Sequence, residues 1–304
     1  MTEFDVAART GCLWVARPDM GTLAVSGSER LSWLQGVLSS DIEHLSTGEG
    51  SWGLVLTKQG KILADVAVVA AADVTYLGLV TAALPRVERW LTQFLVMEDA
   101  EVADVTDGSA WAMLHGPKAA TVAHELARGL DGGAAAPIDF TGLGGAALVV
   151  PRTHFETVEK RAAARAEVRV GSAADWERLR VERLVPAYGV DMDDHRSPHE
   201  ASLDRRAVSW TKGCYLGQEA VCMQDMRGKV KRRLVILLMS SGAPPEPGSE
   251  VALPDGTPVG ETRTSVTSDV WGAPVAIALV TADSAGTGTR LLVKGVEASV
   301  VDPR

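Results

Sequence analysis

The chain has 304 residues, 46% of them hydrophobic and 23% charged, with 30 glycines and 14 prolines. These fractions are those of a globular protein and exclude collagenous, coiled-coil and disordered chains; at roughly 100–200 residues per domain, the length predicts two domains, or three small ones. Thirty basic against 39 acidic side chains leave a net charge of −9, which argues against holding nucleic acid through the overall field.

In chain order, Leu23–Val25 reads as a short strand, and Ser28 as the N-cap of a helix through Leu38 with Leu31, Leu34, Val37 and Leu38 on one face. Trp52–Thr57 and Ile62–Val69 form a strand pair around the turn Lys58-Gln59-Gly60-Lys61, and Thr75–Thr81 is a third strand. Pro85 opens a helix with Val87, Trp90, Leu91, Phe94 and Leu95 at core spacing. Strands follow at Glu101–Val105 and Trp111–Leu114, and a helix runs from Gly116-Pro117 to about Leu130. Gly132–Ala136 reads as a loop, Ala146–Val150 as a strand, and His154–Glu167 and Asp175–Leu184 as helices. This mixture is an α+β pattern. From Arg232 the composition shifts to short apolar runs split by turn clusters (Gly242–Gly248, Pro254–Gly256, Gly286–Gly288), which predicts a small all-β barrel or sandwich.

No run approaches the roughly 20 apolar residues of a membrane span. The longest, Val66–Ala72 and Leu234–Met239, have strand length. The opening MTEFDVAART carries two acids and no apolar block, so no signal peptide is read there. Three cysteines, Cys12, Cys214 and Cys222, fit a reducing compartment better than a disulfide scaffold. A cytoplasmic protein is expected.

The densest chemical segment is Thr211–Glu219, in which Gly213 and Gly217 bracket Cys214 beside Lys212, Tyr215, Gln218 and Glu219. Glycines there permit close backbone approach, and a nearby cation favours a reactive thiolate. The same pattern also suits a small buried cysteine in a tight turn. Arg227, Lys229, Lys231, Arg232 and Arg233 form a basic knot that is either a solvated face or an anion site. His195 and His199 have the spacing of a helical zinc site, but Pro198 between them makes a surface loop the better reading. Cys214 and Cys222 fit no standard zinc or iron–sulfur spacing, so no permanently bound metal is expected. Walker A, GxGxxG and GxSxG motifs are missing from the sequence.

The KGCYLGQE stretch, Lys212–Glu219, resembles the signature of the YgfZ family of folate-binding proteins, relatives of the glycine cleavage T-protein (aminomethyltransferase). Other stretches agree in order: Leu23–Gly27, Leu34-Gln35-Gly36, Ser40-Asp41, Gly60–Asp65, Leu114–Lys118, Arg180-Val-Glu182, Tyr188-Gly-Val-Asp191 and Pro198–Leu203. The resemblance spans nearly the whole chain. It implies a T-protein-like ring of two interleaved α+β folate-binding modules over residues 1–225 and a C-terminal all-β barrel over residues 226–304. It implies tetrahydrofolate or a one-carbon derivative as ligand, with Glu182, Asp65, Lys212, Tyr188 and Arg227 as binding residues. Asp65 matches the T-protein's catalytic aspartate, and Cys214 is the thiol on which the YgfZ branch depends. The implied role is assembly or repair of iron–sulfur clusters in client enzymes, a tRNA-thiolating one among them; aminomethyl transfer through Asp65 is the alternative. Direct nucleic-acid binding through the basic knot is the reading least supported. The chain departs from the family pattern at Met223, where an arginine is usual.

Overall fold

Thr2 starts the first helix with a reciprocal capping box: its hydroxyl accepts from the Asp5 N–H, and the Asp5 carboxylate accepts from the Thr2 N–H. The computed structural model describes residues 2–228 and 230–303. After α1 (Glu3–Thr10) come β1 (Cys12–Ala16), β2 (Met20–Ser26), α2 (Arg30–Val37), β3 (Gly50–Leu56), β4 (Ile62–Ala70), β5 (Val74–Val80), α3 (Leu84–Thr92) and β6 (Glu101–Asp104). The chain continues through β7 (Ser109–His115), α4 (Ala119–Ala127), β8 (Ala134–Ala136), β9 (Gly145–Pro151), α5 (Phe155–Ala163), β10 (Val168–Gly171), α6 (Ala173–Glu182) and α7 (Gln218–Arg227). The last strands are β11 (Arg232–Met239), β12 (Glu250–Ala252), β13 (Pro258–Ser268), β14 (Ala273–Thr281), β15 (Arg290–Val293) and β16 (Val296–Val301).

Two five-stranded sheets are ordered β10-β1-β7-β9-β8 and β3-β4-β5-β2-β6, and the last six strands close a barrel, β11-β14-β13-β12-β15-β16. The chain enters the first sheet with β1, builds the whole second sheet, and returns with β7. The fold is α+β with a closed C-terminal barrel, as the composition shift at Arg232 predicts. One central core joins all three parts: Trp111 and Met113 from the first sheet, Trp52, Ala67 and Val69 from the second, and Ile236, Val275 and Ile277 from the barrel. A second core lies between the other face of β4 (Val66, Val68) and helices α2 and α3, through Leu34, Leu38, Val87 and Leu91. Burial on both faces explains why β4 is one apolar run. Side chains alternate along a strand, so its single charge, Asp65, shares the central face with Ala67 and Val69.

Some elements differ from expectation. Ser28 does not cap α2; its hydroxyl donates to Asp99 at 2.6 Å, and Glu29 occupies the cap without a side-chain bond. Ala134–Ala136 is not loop but edge strand β8, because β9 offers it a free ladder of backbone groups. The helix expected to reach Glu167 stops at Ala163, and the chain then makes β10, parallel to β1. The Asp191–Glu200 segment is not a simple surface loop: Asp191 and His199 are buried, while His195 is exposed.

Candidate functional site

The second sheet and α6 enclose a cavity of about 420 Å³ lined by Asp65, Tyr188, Trp176, Phe140, Arg17 and Arg180, among others. Its polar groups are few and its walls largely apolar, the composition of a small-molecule site. Asp65 Oδ2 accepts the indole N–H of Trp52 at 3.2 Å. Burial pushes the Asp65 carboxyl above its ordinary pKa, against the Trp52 bond and the nearby Arg17 charge. Tyr188 enters the cavity from a tight turn, and burial raises its phenol as well.

That turn is held from beneath by a buried network. Arg180 donates to Asp191 Oδ2 at 2.6 Å and to Thr264 at 3.0 Å, Thr264 donates to Asp191 Oδ1 at 2.6 Å, and the Ala187 N–H also reaches Asp191 Oδ2 at 2.8 Å. The network ties α6, the Tyr188 turn and barrel strand β13 together. Arg180 also grips Glu177 with two bonds.

Glu182 does not line this cavity. At 100° per residue it points away from the α6 face that carries Trp176, Glu177 and Arg180. Its carboxylate is wholly buried; Oε1 accepts from Ser268 at 2.5 Å, Oε2 has no hydrogen-bond partner, and the Arg9 guanidinium lies 4.0 Å away. Burial raises its pKa despite the Ser268 bond.

The KGCYLGQE segment lies outside the cavity, against α2 and the β3–β4 turn. The Lys212 ammonium donates to the carbonyls of Gln35, Leu38 and Ser40 at 2.6, 2.8 and 2.8 Å. It therefore satisfies carbonyls at the C-terminal end of α2 that the helix itself leaves open. Burial lowers its pKa to about 8, against the pull of Asp41 and Glu43. The Leu216 N–H adds a bond to Gly36 O at 3.0 Å. Gly217 caps α7 at φ +83°, and a Cβ there would lie 2.5 Å from the Thr57 carbonyl oxygen. Between these anchors Cys214 is exposed, and Gly213 has open space around it. Cys12 is its opposite: it is fully buried, and burial pushes its thiol up to about 12. Cys222 is half-buried on α7 close to Tyr215.

Gly217→Ala is expected to lower stability by about 2–3 kcal/mol, from the left-handed backbone and the clash together, whereas Gly213→Ala should change it by under about 0.5 kcal/mol. Thermal denaturation of the two variants side by side checks this; equal midpoints would remove the anchoring role of Gly217.

Of the residues expected to bind ligand, the cavity brings together Asp65 and Tyr188. Lys212 is engaged at α2, and Arg227 is exposed in the last turn of α7. Of the basic knot, Lys231 and Arg232 are exposed, Arg233 pairs with Asp204 at 2.9 Å, and Lys229 lies outside the described residues. His199 is paired with Asp225 at 3.2 Å, and among the described residues no group of three metal-ligating side chains converges. No helix among them is long and apolar enough to cross a membrane. Arg17 and Trp176 line the cavity, and Trp52 stands behind Asp65 in the core; a tryptophan or an arginine in an ordinary element carries no local sign of such a place.

Two interleaved sheets and a closed barrel around one core define a known class. Residues 6–155 match the GCVT N-terminal domain, and residues 232–303 match the glycine cleavage T-protein C-terminal barrel domain. An aminomethyltransferase of Geobacillus kaustophilus is 27% identical over 322 residues, covering 97% of this chain and 87% of its own. One from a Synechococcus species is 28% identical over 292 residues, covering 90% and 80%. The crystal structure of glycine cleavage system aminomethyltransferase T from Bartonella henselae superposes with a TM-score of 0.83 at 19% identity, over 98% of this chain and 87% of that one, a likeness of fold. The chain belongs to the family that carries these two glycine cleavage T-protein domains, and both relatives named above are aminomethyltransferases.

Proposed function

We propose that this chain binds tetrahydrofolate or a one-carbon derivative, and that it assembles or repairs the iron–sulfur clusters of client enzymes, tRNA-modifying ones among them, through Cys214. The observation that carries the reading is the exposed Cys214, held on a loop locked into the T-protein scaffold by Lys212, Leu216 and Gly217. A nucleophilic or metal-accepting thiol needs that combination of access and fixed placement. YgfZ-branch membership is part of this proposal.

The cavity residues suit a folate. Trp176 and Phe140 add aromatic surface to the cavity wall, and Asp65 gives one carboxylate oxygen to Trp52, leaving the other for a ring or amine N–H. Tyr188 supplies a hydroxyl, and Glu182 Oε2, which accepts no hydrogen bond and stands 4.0 Å from the Arg9 guanidinium, is a second acceptor on the far side of α6. When bound, tetrahydrofolate supplies a one-carbon acceptor or donor. Asp65 would orient the reacting amine and hold or release its proton.

Aminomethyl transfer is the second reading, favoured by the cavity-lining Asp65 and by the relatives' names. Titration with tetrahydrofolate under anaerobic, reducing conditions, read by the eight tryptophans, is expected to saturate in about the micromolar range, roughly 8 kcal/mol. Asp65→Asn and Glu182→Ala run in parallel assign the ligand to one side of α6 or the other. No saturation by the native protein would overturn the folate reading. Methylene transfer from an aminomethyl-lipoyl carrier would favour the transferase; folate binding without turnover, with client activity lost in Cys214→Ser, would favour the iron–sulfur role.

A further inference from the structure

We propose that Trp52 is a positioning residue for Asp65: its indole N–H takes one carboxylate oxygen and turns the other toward the cavity. The placement follows from the strand register. Trp52 faces Ala67 and Leu54 faces Asp65 across β3 and β4, so Trp52 and Asp65 are diagonal neighbours on one face of the sheet. The indole nitrogen lies 3.2 Å from Asp65 Oδ2, and Trp52 is almost fully buried.

The indole is itself held in place. Phe140, a cavity wall, meets it edge-on at 4.9 Å, and the Arg206 guanidinium stands 5.1 Å from its ring centre. Arg206 cannot follow a moving ring, because it donates to the carbonyls of Leu184 (2.7 Å) and Arg183 (3.4 Å), and to that of Phe140. The chain of restraint runs from the end of α6 through Arg206 and Trp52 to the carboxylate.

The chemistry gives the bond a direction. An indole N–H is a donor only, so it stabilises the ionised carboxylate more than the protonated acid, whose O–H it cannot accept. Burial works the other way on Asp65. Trp52 thus favours the ionised acceptor over the neutral acid at the carboxyl that faces the cavity. A tryptophan that merely filled the core would be replaceable by any ring of its shape.

The test uses two variants of the full chain: Trp52→Phe, and Trp52 replaced by β-(3-benzothienyl)alanine, which keeps the bicyclic shape and loses the N–H. The Asp65 carboxyl is followed by ¹³C NMR across pH, assigned by its disappearance in Asp65→Asn. Both variants should titrate at higher pH than the native protein, and the isostere should do so with an unchanged fold. An unmoved midpoint in the isostere overturns the proposal. The inference about the cavity's ligand rests on the folate reading and separates from it here. Tetrahydrofolate affinity about tenfold weaker near neutral pH, with its pH profile displaced, supports both. A displaced carboxyl titration with tetrahydrofolate binding unchanged at every pH supports the positioning role and counts against folate as the cavity's ligand.

Discussion

Asp191→Ala is expected to destabilise the protein by about 3–5 kcal/mol, the cost of removing one partner from a buried ion pair. The Arg180 and Asp191 side chains are 4% and 0% exposed, so water cannot replace what is lost. Asp191 accepts from Arg180, Thr264 and the Ala187 N–H, and its removal strands all three donors at once. Glu177 still faces Arg180, but it is 40% exposed and compensates the charge only in part. Urea unfolding should show a lower midpoint at an unchanged slope. Removing both charges, Arg180→Met with Asp191→Ala, should recover a good part of the loss, since no buried charge is then left alone. Asp191 also fixes the turn that carries Tyr188, so ligand binding at the cavity should weaken in step. A loss under about 1 kcal/mol would mean that the network is better hydrated than its burial implies.

Much of this fold was legible, and what was not has physical causes. The β3–β4 hairpin, the Pro85 helix and the barrel announce themselves because period and turn chemistry are local properties. Strands β1 and β10 do not: each has at most five residues, and they pair across some 150 positions of chain, a contact no local pattern encodes. Three alanines have low strand propensity, so β8 is visible only once β9 is in place. At the site, the Arg180-x-Glu182 stretch reads as one motif but serves opposite faces of α6: Arg180 builds the floor of the cavity, and Glu182 is buried behind it. Lys212 next to Cys214 reads as a cation tuning a thiol. Its partners are instead backbone carbonyls in and just past the last turn of α2, which carry no residue identity and leave no trace in sequence. Asp65 could be singled out as a lone charge in an apolar strand, whereas Trp52 depends on a register that only pairing reveals.

His115→Phe is expected to make the protein more resistant to acid, and the reason lies in the same cavity wall. The His115 ring is fully buried and stacked on Trp176 at 4.7 Å with the planes 8° apart, and neither ring nitrogen has a hydrogen-bond partner. Burial, reinforced by the Arg17 charge, lowers its pKa to about 3 from the ordinary 6.5. Between those two values the unfolded chain holds a proton on this imidazole that the folded chain does not. Stability from this group is therefore complete above about pH 6.5 and falls by about 1.4 kcal/mol per pH unit as the solution is acidified toward pH 3. Asp65 and Glu182 act in the reverse sense: burial raises both, so their protonation on acidification relieves an electrostatic cost and masks part of the slope. The variant isolates the histidine's titration, because phenylalanine keeps an aromatic ring against Trp176 and has no nitrogen to protonate or leave unpaired. At pH 7.5 the two proteins should be equally stable, or the variant slightly more so. Its advantage should then widen below pH 6.5 at about the stated slope, measured by urea unfolding at intervals down to pH 4.5. Parallel stability curves over that range would mean that folded His115 takes up its proton as readily as the unfolded chain does, its N–H groups donating to water, and that the compartment behind Trp176 is open.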